Sequence, residues 1–341
     1  MIRSILMTPI WLMQLLGMSK SFKDNPILGS RTLNRMGLHV ARMVLAHGVT
    51  RLRWWMLAPL ASKEHRRAFH ERGFVEIPDF VPEAEFGAVL RQVVACGGEV
   101  RECIQGDTLT HRILLDDRAL DTMPAVKALV SGSRYERLLM YCAARFRRPI
   151  FYIQSIKNMR GEGAGDPQKN MHADTFHPTM KAWLFLHDVD ERNGPFTYVP
   201  GSHRLMMKRL KWEYRRSIGA RRDGDPYSQK GSFRVMPEDL SELGLGDPVA
   251  LKVRANTLVV ANTHGFHCRG AAGERSSRLE IWAFGRSNPF NPFPGLGLRA
   301  LSRLEYRLAR AYWRYKDREA ERRNVQSSWH LVPSEKMWSE P

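Results

Sequence analysis

The chain has 341 residues, 43% hydrophobic and 26% charged, a balance that excludes a disordered or fibrous protein and allows one large catalytic domain with extensions. Lys and Arg outnumber Asp and Glu by 53 to 35, a net charge of +18, which favours anionic partners such as phospholipid headgroups, phosphorylated carriers or nucleic acid. Cys96, Cys103, Cys142 and Cys268 form no C-x-x-C pair, which argues against a zinc site or redox dithiol and fits a reducing cytoplasm.

In chain order, residues 1–62 come first. Residues 5–17 are mostly apolar, with Arg3 before them, Pro9 inside and Lys20 and Lys23 after. The stretch is short for a spanning helix and lacks a small-x-small cleavage site, so it reads as an interfacial anchor. Up to Ser62 the only acid is Asp24, against eight bases. Leu33, Met36, Leu38, Val40, Met43, Val44 and Leu45 give a broad helical apolar face, followed by Trp54 and Trp55. Basic residues interleaved with Trp and Leu suit a membrane surface; a helical cover over the catalytic domain is the competing expectation.

The catalytic domain is expected over residues 63–296. A short helix from Glu64 leads into a strand in RGFVEIPDF, then a helix over residues 82–96 with Pro82 at its start. Residues 108–115 look extended, and Ser133 and Glu136 have capping-box spacing for a helix through Phe146. After Pro149, five strand-like runs follow: IFYIQSIKNM, MKAWLFLHDV, PFTYVP, NTLVVANTHGFH and SRLEIWAFGR. Turn residues separate them, at 161–166, Asn193-Gly194, Pro200-Gly201 and 270–273. Many strands after a helical preface predict a sandwich or jelly roll with helices on one side.

Residues 204–222 form a basic helical insert. Residues 297–341 are a further segment: a basic helix to about residue 324, then an irregular tail. In it Arg299, Arg303, Arg307, Arg310 and Arg314 share one face beside a stripe of Leu301, Leu304, Leu308, Ala311, Tyr312 and Tyr315.

The chemistry centres on His172-Ala173-Asp174. Residues two apart on extended chain point the same way, so this histidine and aspartate can converge on one point. A second histidine from a distant strand would complete a 2-His-1-carboxylate face, which binds iron(II) and leaves positions open for oxygen and a co-substrate. His267 and His264 both qualify. Each precedes an arginine, Arg278 or Arg275, by eleven positions, so spacing does not separate them; His267 is preferred because it lies deeper towards the turn. Arginine grips a carboxylate bidentately, which suits it to the far end of a metal-chelating dicarboxylate.

These motifs, together with DERNGPFTYVPGSHR at residues 190–204, resemble the phytanoyl-CoA dioxygenase-like iron(II)/2-oxoglutarate oxygenases over about Phe69 to Arg286. The resemblance implies a mainly β fold with flanking helices around a double-stranded β-helix (jelly-roll, cupin-like) core. It implies Fe(II) held by His172, Asp174 and His267, and 2-oxoglutarate held by Arg278. Trp183 matches an aromatic position lining the co-substrate pocket, Gln154 and Ser155 fall where polar co-substrate contacts lie, and Arg112 is a weaker candidate. His177 and His187 are read as supporting or surface histidines, His203 as bonding its own Pro-Gly-Ser turn, Asp190 as capping the Asn193-Gly194 turn, and Trp282 and Phe284 as core. The expected activity is hydroxylation of an organic substrate by molecular oxygen. The partners expected are a small-molecule or lipid substrate and an anionic membrane surface; no distinctive nucleic-acid motif is present. The expected location is the cytoplasm, peripheral to the inner face of the membrane. The alternatives are a soluble small-metabolite hydroxylase and an inactive binding protein on the same fold.

Overall fold

Strand alternation builds the interior. The structure, a computed structural model, describes residues 2–159 and 165–340, with side chains from Met7 onward. The turn expected at residues 161–166 lies mostly outside the described residues, as do the side chains of Arg3 and Ile5. Eight antiparallel strands form the large sheet: β1 (Phe74–Ile77), β2 (Val100–Gln105), β3 (Thr108–Leu114), β4 (Ile150–Asn158), β5 (Met180–Phe185), β8 (Thr257–Asn262), β10 (Ser277–Gly285) and β11 (His330–Val332). Their order is β1-β8-β5-β10-β4-β3-β2-β11. A small sheet of β6 (Phe196–Tyr198), β7 (Val249–Ala250) and β9 (His267–Arg269) runs in the order β7-β6-β9. Single bridges from His172 to His267 and to Arg234 extend it.

Because successive strand residues face opposite sides, each central strand serves two environments. On β10, Leu279, Ile281 and Ala283 join Leu184, Ala182, Leu258 and Val260 in an apolar layer. That layer packs under α4 (Lys63–Glu71), α5 (Glu83–Val94), α7 (Pro124–Val130) and α8 (Ser133–Cys142); the short α6 (Asp117–Asp121) lies between β3 and α7. The other face carries Trp282, Trp183, Phe185, Val259 and Tyr152 against Phe196, Tyr198 and Val253. The result is the expected mainly β, double-stranded β-helix with flanking helices.

The lead segment folds as α1 (Ile2–Leu15), α2 (Arg31–Arg35) and α3 (Leu38–Met56). Fully buried Met43 and Ala46 pack with Phe176 of the domain. Arg42 donates to the carbonyls of Leu15, Gly17 and Ser19, and Arg53 to Ser287 and the carbonyls of Asn288 and Asn291. Two of the eight bases therefore hold the segment down instead of facing solvent. No helix among the described residues is long and apolar enough to cross a membrane.

The basic insert holds α9 (Met207–Gly219), followed by α10 (Pro226–Gln229) and α11 (Pro237–Leu243). Arg209 is buried there with Glu213, at 2.8 Å, and His39 of α3 reaches the same carboxylate at 2.9 Å.

Four local expectations are corrected. Gly132, not Ser133, caps α8, with no side-chain cap; Glu136 pairs instead with Arg148 at 2.8 Å, and the helix ends at Cys142 rather than Phe146. Pro82 is the N-cap of α5 and not its first turn. In α12 (Arg299–Arg322), Ser302, Tyr306 and Ala320 are the buried positions, while Leu304, Leu308, Tyr312 and Tyr315 are exposed. Tyr306 turns that face inward because its hydroxyl accepts from the Phe151 amide. The tail beyond residue 324 is ordered rather than irregular: β11 pairs with β2, and α13 (Glu335–Trp338) follows, tied down by Lys157, which donates to the carbonyls of Lys336 and Ser339.

Candidate metal centre and its cavity

His172 and His267 face each other across an antiparallel bridge with reciprocal backbone hydrogen bonds, His172 N to His267 O at 3.0 Å and His267 N to His172 O at 2.9 Å. Their ring centroids are 4.6 Å apart. Asp174, two residues beyond His172, brings Oδ1 to 3.8 Å from the Nε2 of each histidine. One ligand atom from each of the three side chains falls within 4.8 Å of the others. Both Nδ1 atoms are engaged locally, His172 with the Asn170 carbonyl at 2.7 Å and His267 with the Gly265 carbonyl at 2.9 Å. That fixes the protons on Nδ1 and leaves the Nε2 lone pairs towards Asp174, the arrangement metal-ligating histidines adopt.

The electrostatics suit a cation. Burial and the neighbouring His267 hold His172 well below its ordinary range, and burial pushes His267 down to about 4, so both rings are neutral at pH 7. Burial alone would raise the Asp174 carboxyl. Lys181, His267, His172 and Arg286 outweigh it and keep the group ionised. The Lys181 ammonium lies 2.7 Å from Asp174 Oδ2. His267 Nε2 is buried without a hydrogen-bond partner among the described residues. An orphaned buried acceptor is costly unless something satisfies it. These residues therefore fit a divalent metal.

His264 is not part of the cluster. Its Nδ1 donates to the Thr175 carbonyl, 2.8 Å away, and its ring packs edge-on against His47 of the lead segment. Among the described residues the cluster takes in His267 and not His264.

A cavity of about 250 Å³ adjoins the triad. Arg278, Gln154 and Arg112 line it, on three adjacent strands in register: Arg112 faces Gln154 and Gln154 faces Glu280. Arg278 Nε is 3.1 Å from the buried Glu280, and Nη1 donates to the Gly194 carbonyl. Its Nη2 makes no hydrogen bond among the described residues. Gln154 donates to Glu280 and accepts from Arg112 Nε at 2.6 Å. Arg112 is clamped between Trp282 and Trp329, 4.0 and 4.5 Å from their ring centroids. Trp183 also lines the cavity and stacks near Phe196, centroids 4.3 Å apart.

Ser155 departs from its expected place. It pairs in register with Leu279, so its side chain stands on the helix-facing side of the sheet, away from the cavity. Trp282 is buried in the core as expected and also lines the cavity. His203 bonds the His70 carbonyl at 3.1 Å rather than its own turn, His177 is buried on the Pro178 carbonyl, and His187 is exposed. Asp190 does cap its turn, accepting from the Arg192 amide at 2.8 Å.

Other residues lie in or beside the cavity. Lys181 and Glu280 were accessible by alternation, each two positions from a named residue on the same strand. Arg269, held by Asp166 at 2.7 Å, and Arg286 carry no local signal. Trp329 and Lys20 come from segments remote in sequence. Lys20 donates to the backbone carbonyl of Asp174, and burial pushes its ammonium down to about 8.

A jelly roll that converges two histidines and a carboxylate beside an arginine-bearing cavity defines a class, the non-haem metal oxygenases. Residues 69–237, just under half of the chain, match the model of the phytanoyl-CoA dioxygenase (PhyH) family. The match includes His172 and Asp174; His267 and Arg278 lie beyond it and are placed by the fold. No curated protein matches the chain. Among solved structures, the epimerase SnoN from nogalamycin biosynthesis is similar at 22% identity, covering 67% of this chain and 82% of its own, with a TM-score of 0.44. HygX from Streptomyces hygroscopicus, with nickel, 2-oxoglutarate and hygromycin B bound, is 14% identical over 67% of this chain and 88% of its own, TM-score 0.41. EctD from S. alaskensis, with bound Fe, is 15% identical over 66% of this chain and 76% of its own, TM-score 0.40.

Proposed function

We propose that the protein is an iron(II)- and 2-oxoglutarate-dependent dioxygenase that hydroxylates an organic substrate. The observation that carries this is the convergence of His172, Asp174 and His267 beside a cavity holding Arg278. His172, Asp174 and His267 hold the metal, and Arg278 pairs with the remote carboxylate of the 2-oxo acid. When bound, iron and 2-oxoglutarate supply the oxidising chemistry, reducing oxygen while the oxo acid is decarboxylated to succinate and a C–H bond is oxidised.

The protein's own part is placement. Nδ1 contacts keep both imidazoles in the ligating tautomer. Glu280 and the Gly194 carbonyl fix the guanidinium of Arg278, so that little side-chain freedom is lost when a carboxylate docks. Trp183 and Trp282 wall the cavity and exclude water, which strengthens each ionic contact inside. Succinate release by the iron-loaded protein across lipids, acyl thioesters and polar metabolites tests the reading. No release above the metal-free control, with any substrate, overturns it.

A second reading concerns where the enzyme works. On α3 the outward stripe of Val44, Leu45, Leu52, Trp55 and Met56 is exposed, Trp55 at 75%, with Arg51 beside it. An apolar stripe flanked by bases suits the surface of an anionic membrane and a lipid or acyl substrate, with the enzyme cytoplasmic and peripheral. Cosedimentation with anionic vesicles that weakens with salt, and weakens further in Trp55→Ser, supports it. A protein that ignores such vesicles at low salt leaves the small-metabolite hydroxylase as the reading.

A further inference from the structure

Outside the Arg278–Glu280 network, the fold collects positive charge at the metal centre that the protein's own carboxylates do not match. Arg234 and His267 flank His172 through its two antiparallel bridges, so the three side chains leave the same face of the small sheet. Arg234 is buried, and its Nε, Nη1 and Nη2 have no hydrogen-bond partner among the described residues. Among the described residues the one carboxylate within ion-pair distance is Asp225, at 3.9 Å, the outer limit of such a pair; the Tyr227 ring lies 4.5 Å from the guanidinium.

Lys20 reaches in from the lead segment to the Asp174 carbonyl and has no carboxylate at ion-pair distance among the described residues. It is carried there by backbone: Phe22 and Lys23 donate to the Gln229 carbonyl, 3.0 Å each, just upstream of Arg234. Gly231, at φ +79°, leaves room for the Lys20 carbonyl, which a side chain there would strike. Arg286 lines the cavity, exposed, and forms no hydrogen bond or ion pair among the described residues. Lys181 adds a fourth cation, on Asp174. Against these four stand the Asp174 carboxylate and, at the edge of ion-pair distance, Asp225, while a bound divalent metal would add two more positive charges.

We propose that Lys20, Arg234 and Arg286 form an oxyanion subsite beside the metal, so that the primary substrate presents a carboxylate or phosphate group to them. The inference deepens the oxygenase reading and rests on it. A buried guanidinium with three unused donor atoms is strongly unfavourable unless a ligand completes it, and a planar fork matches an oxyanion in two places at once. The co-substrate does not serve, because Arg278 already takes its free carboxylate. An anionic handle held here would fix the substrate's orientation while leaving its apolar part to be oxidised. It also gives the lead segment a chemical role, since Lys20 is its contribution to the site.

The test uses the full chain loaded with nickel(II) in place of iron and saturated with 2-oxoglutarate. Binding of inorganic phosphate and of acetate is measured by titration calorimetry in the wild type, K20M, R234M and R278M. The expected result is binding of at least one anion that weakens tenfold or more in K20M and in R234M, while both variants still bind 2-oxoglutarate. Preference for phosphate or for acetate then separates a phosphorylated substrate from a carboxylic acid. R278M should lose 2-oxoglutarate and keep the anion. Lys20 is only half-buried, so K20M remains informative if R234M fails to fold; K20R should restore binding. Absence of anion binding in the wild type, or binding that neither variant weakens, overturns the subsite. If the wild type takes up no metal or 2-oxoglutarate but binds the anion through Lys20 and Arg234, the oxygenase reading fails and the subsite stands.

Discussion

The centre of the site and its rim are built on different terms. At the centre, His172, Asp174 and His267 sit on paired backbone, and each histidine is oriented by a carbonyl two residues before it. At the rim, Lys20 and Trp329 arrive from opposite ends of the chain, each held by tertiary contacts alone. A centre made of local geometry is all-or-none. A rim assembled from extensions is adjustable, and it is where substrate choice can change without disturbing the metal.

Substitutions at the two regions should therefore differ in kind. The largest effect is expected from Asp174→Ala, which should remove metal binding and reduce succinate release to background; metal stoichiometry measures it, and full occupancy would exclude Asp174 as a ligand. His267→Ala should do the same and His264→Ala should not.

Deleting residues 1–62 comes next. It strips Met43 and Ala46 from Phe176, and leaves Glu213 without His39. Burial of one such apolar side chain is worth about 1.5–3 kcal/mol, so several together approach the whole stability of a domain. The truncated protein should unfold or melt far lower. A well-folded truncation would show that the rim is an addition and not part of the frame.

Acid should attack the seam between the lead segment and the domain. Burial pushes His47 and His177 down to about 3 and His203 to about 4. In the unfolded chain each takes its proton near pH 6.5. Between pH 6.5 and 4 the unfolded state thus binds more protons, so stability falls as pH drops through that window and is unaffected above it. Each buried histidine contributes a loss of about 1.4 kcal/mol per pH unit there. Melting curves from pH 7.5 to 5 should show it; a flat profile contradicts the burial of these rings.

Arg278→Ala should raise the apparent 2-oxoglutarate constant by roughly 30- to 4,000-fold, from a loss of about 2–5 kcal/mol, with metal binding kept. The smallest effect is expected at Trp329→Ala. It removes one face of the Arg112 clamp, worth about 0.5–2 kcal/mol, and should change 2-oxoglutarate binding by about 2- to 30-fold. A Trp329 effect as large as that of Arg278 would erase the distinction between centre and rim.

What was legible in the sequence follows the same division. The H-x-D spacing, the strand runs and the arginine after the distal histidine are local patterns, and local patterns survive into the fold. Spacing leaves His267 and His264 alike because each precedes an arginine by eleven positions; the fold brings His267 to His172 and packs His264 against His47. Ser155 was misplaced because its neighbour Gln154 faces the cavity, and alternation sends the next residue the other way. The stripe of α12 is legible as a stripe but not as exposed, because amphipathic spacing reports a face without saying which side the core lies on. Lys20 and Trp329 had no signal, since nothing near them in sequence refers to the metal.

The two faces of β10 carry an evolutionary consequence. Arg278, Glu280 and Trp282 alternate with Leu279, Ile281 and Ala283, one set in the cavity and the other under the helices. A single-residue insertion would transpose them, driving a guanidinium and a carboxylate into hydrocarbon and lining the cavity with leucine and isoleucine. The strand can vary by substitution, or by gaining two residues at a time, but not by one. Length changes that diversify such an enzyme must fall in the connections, where the chain already carries its long insert between β6 and β7.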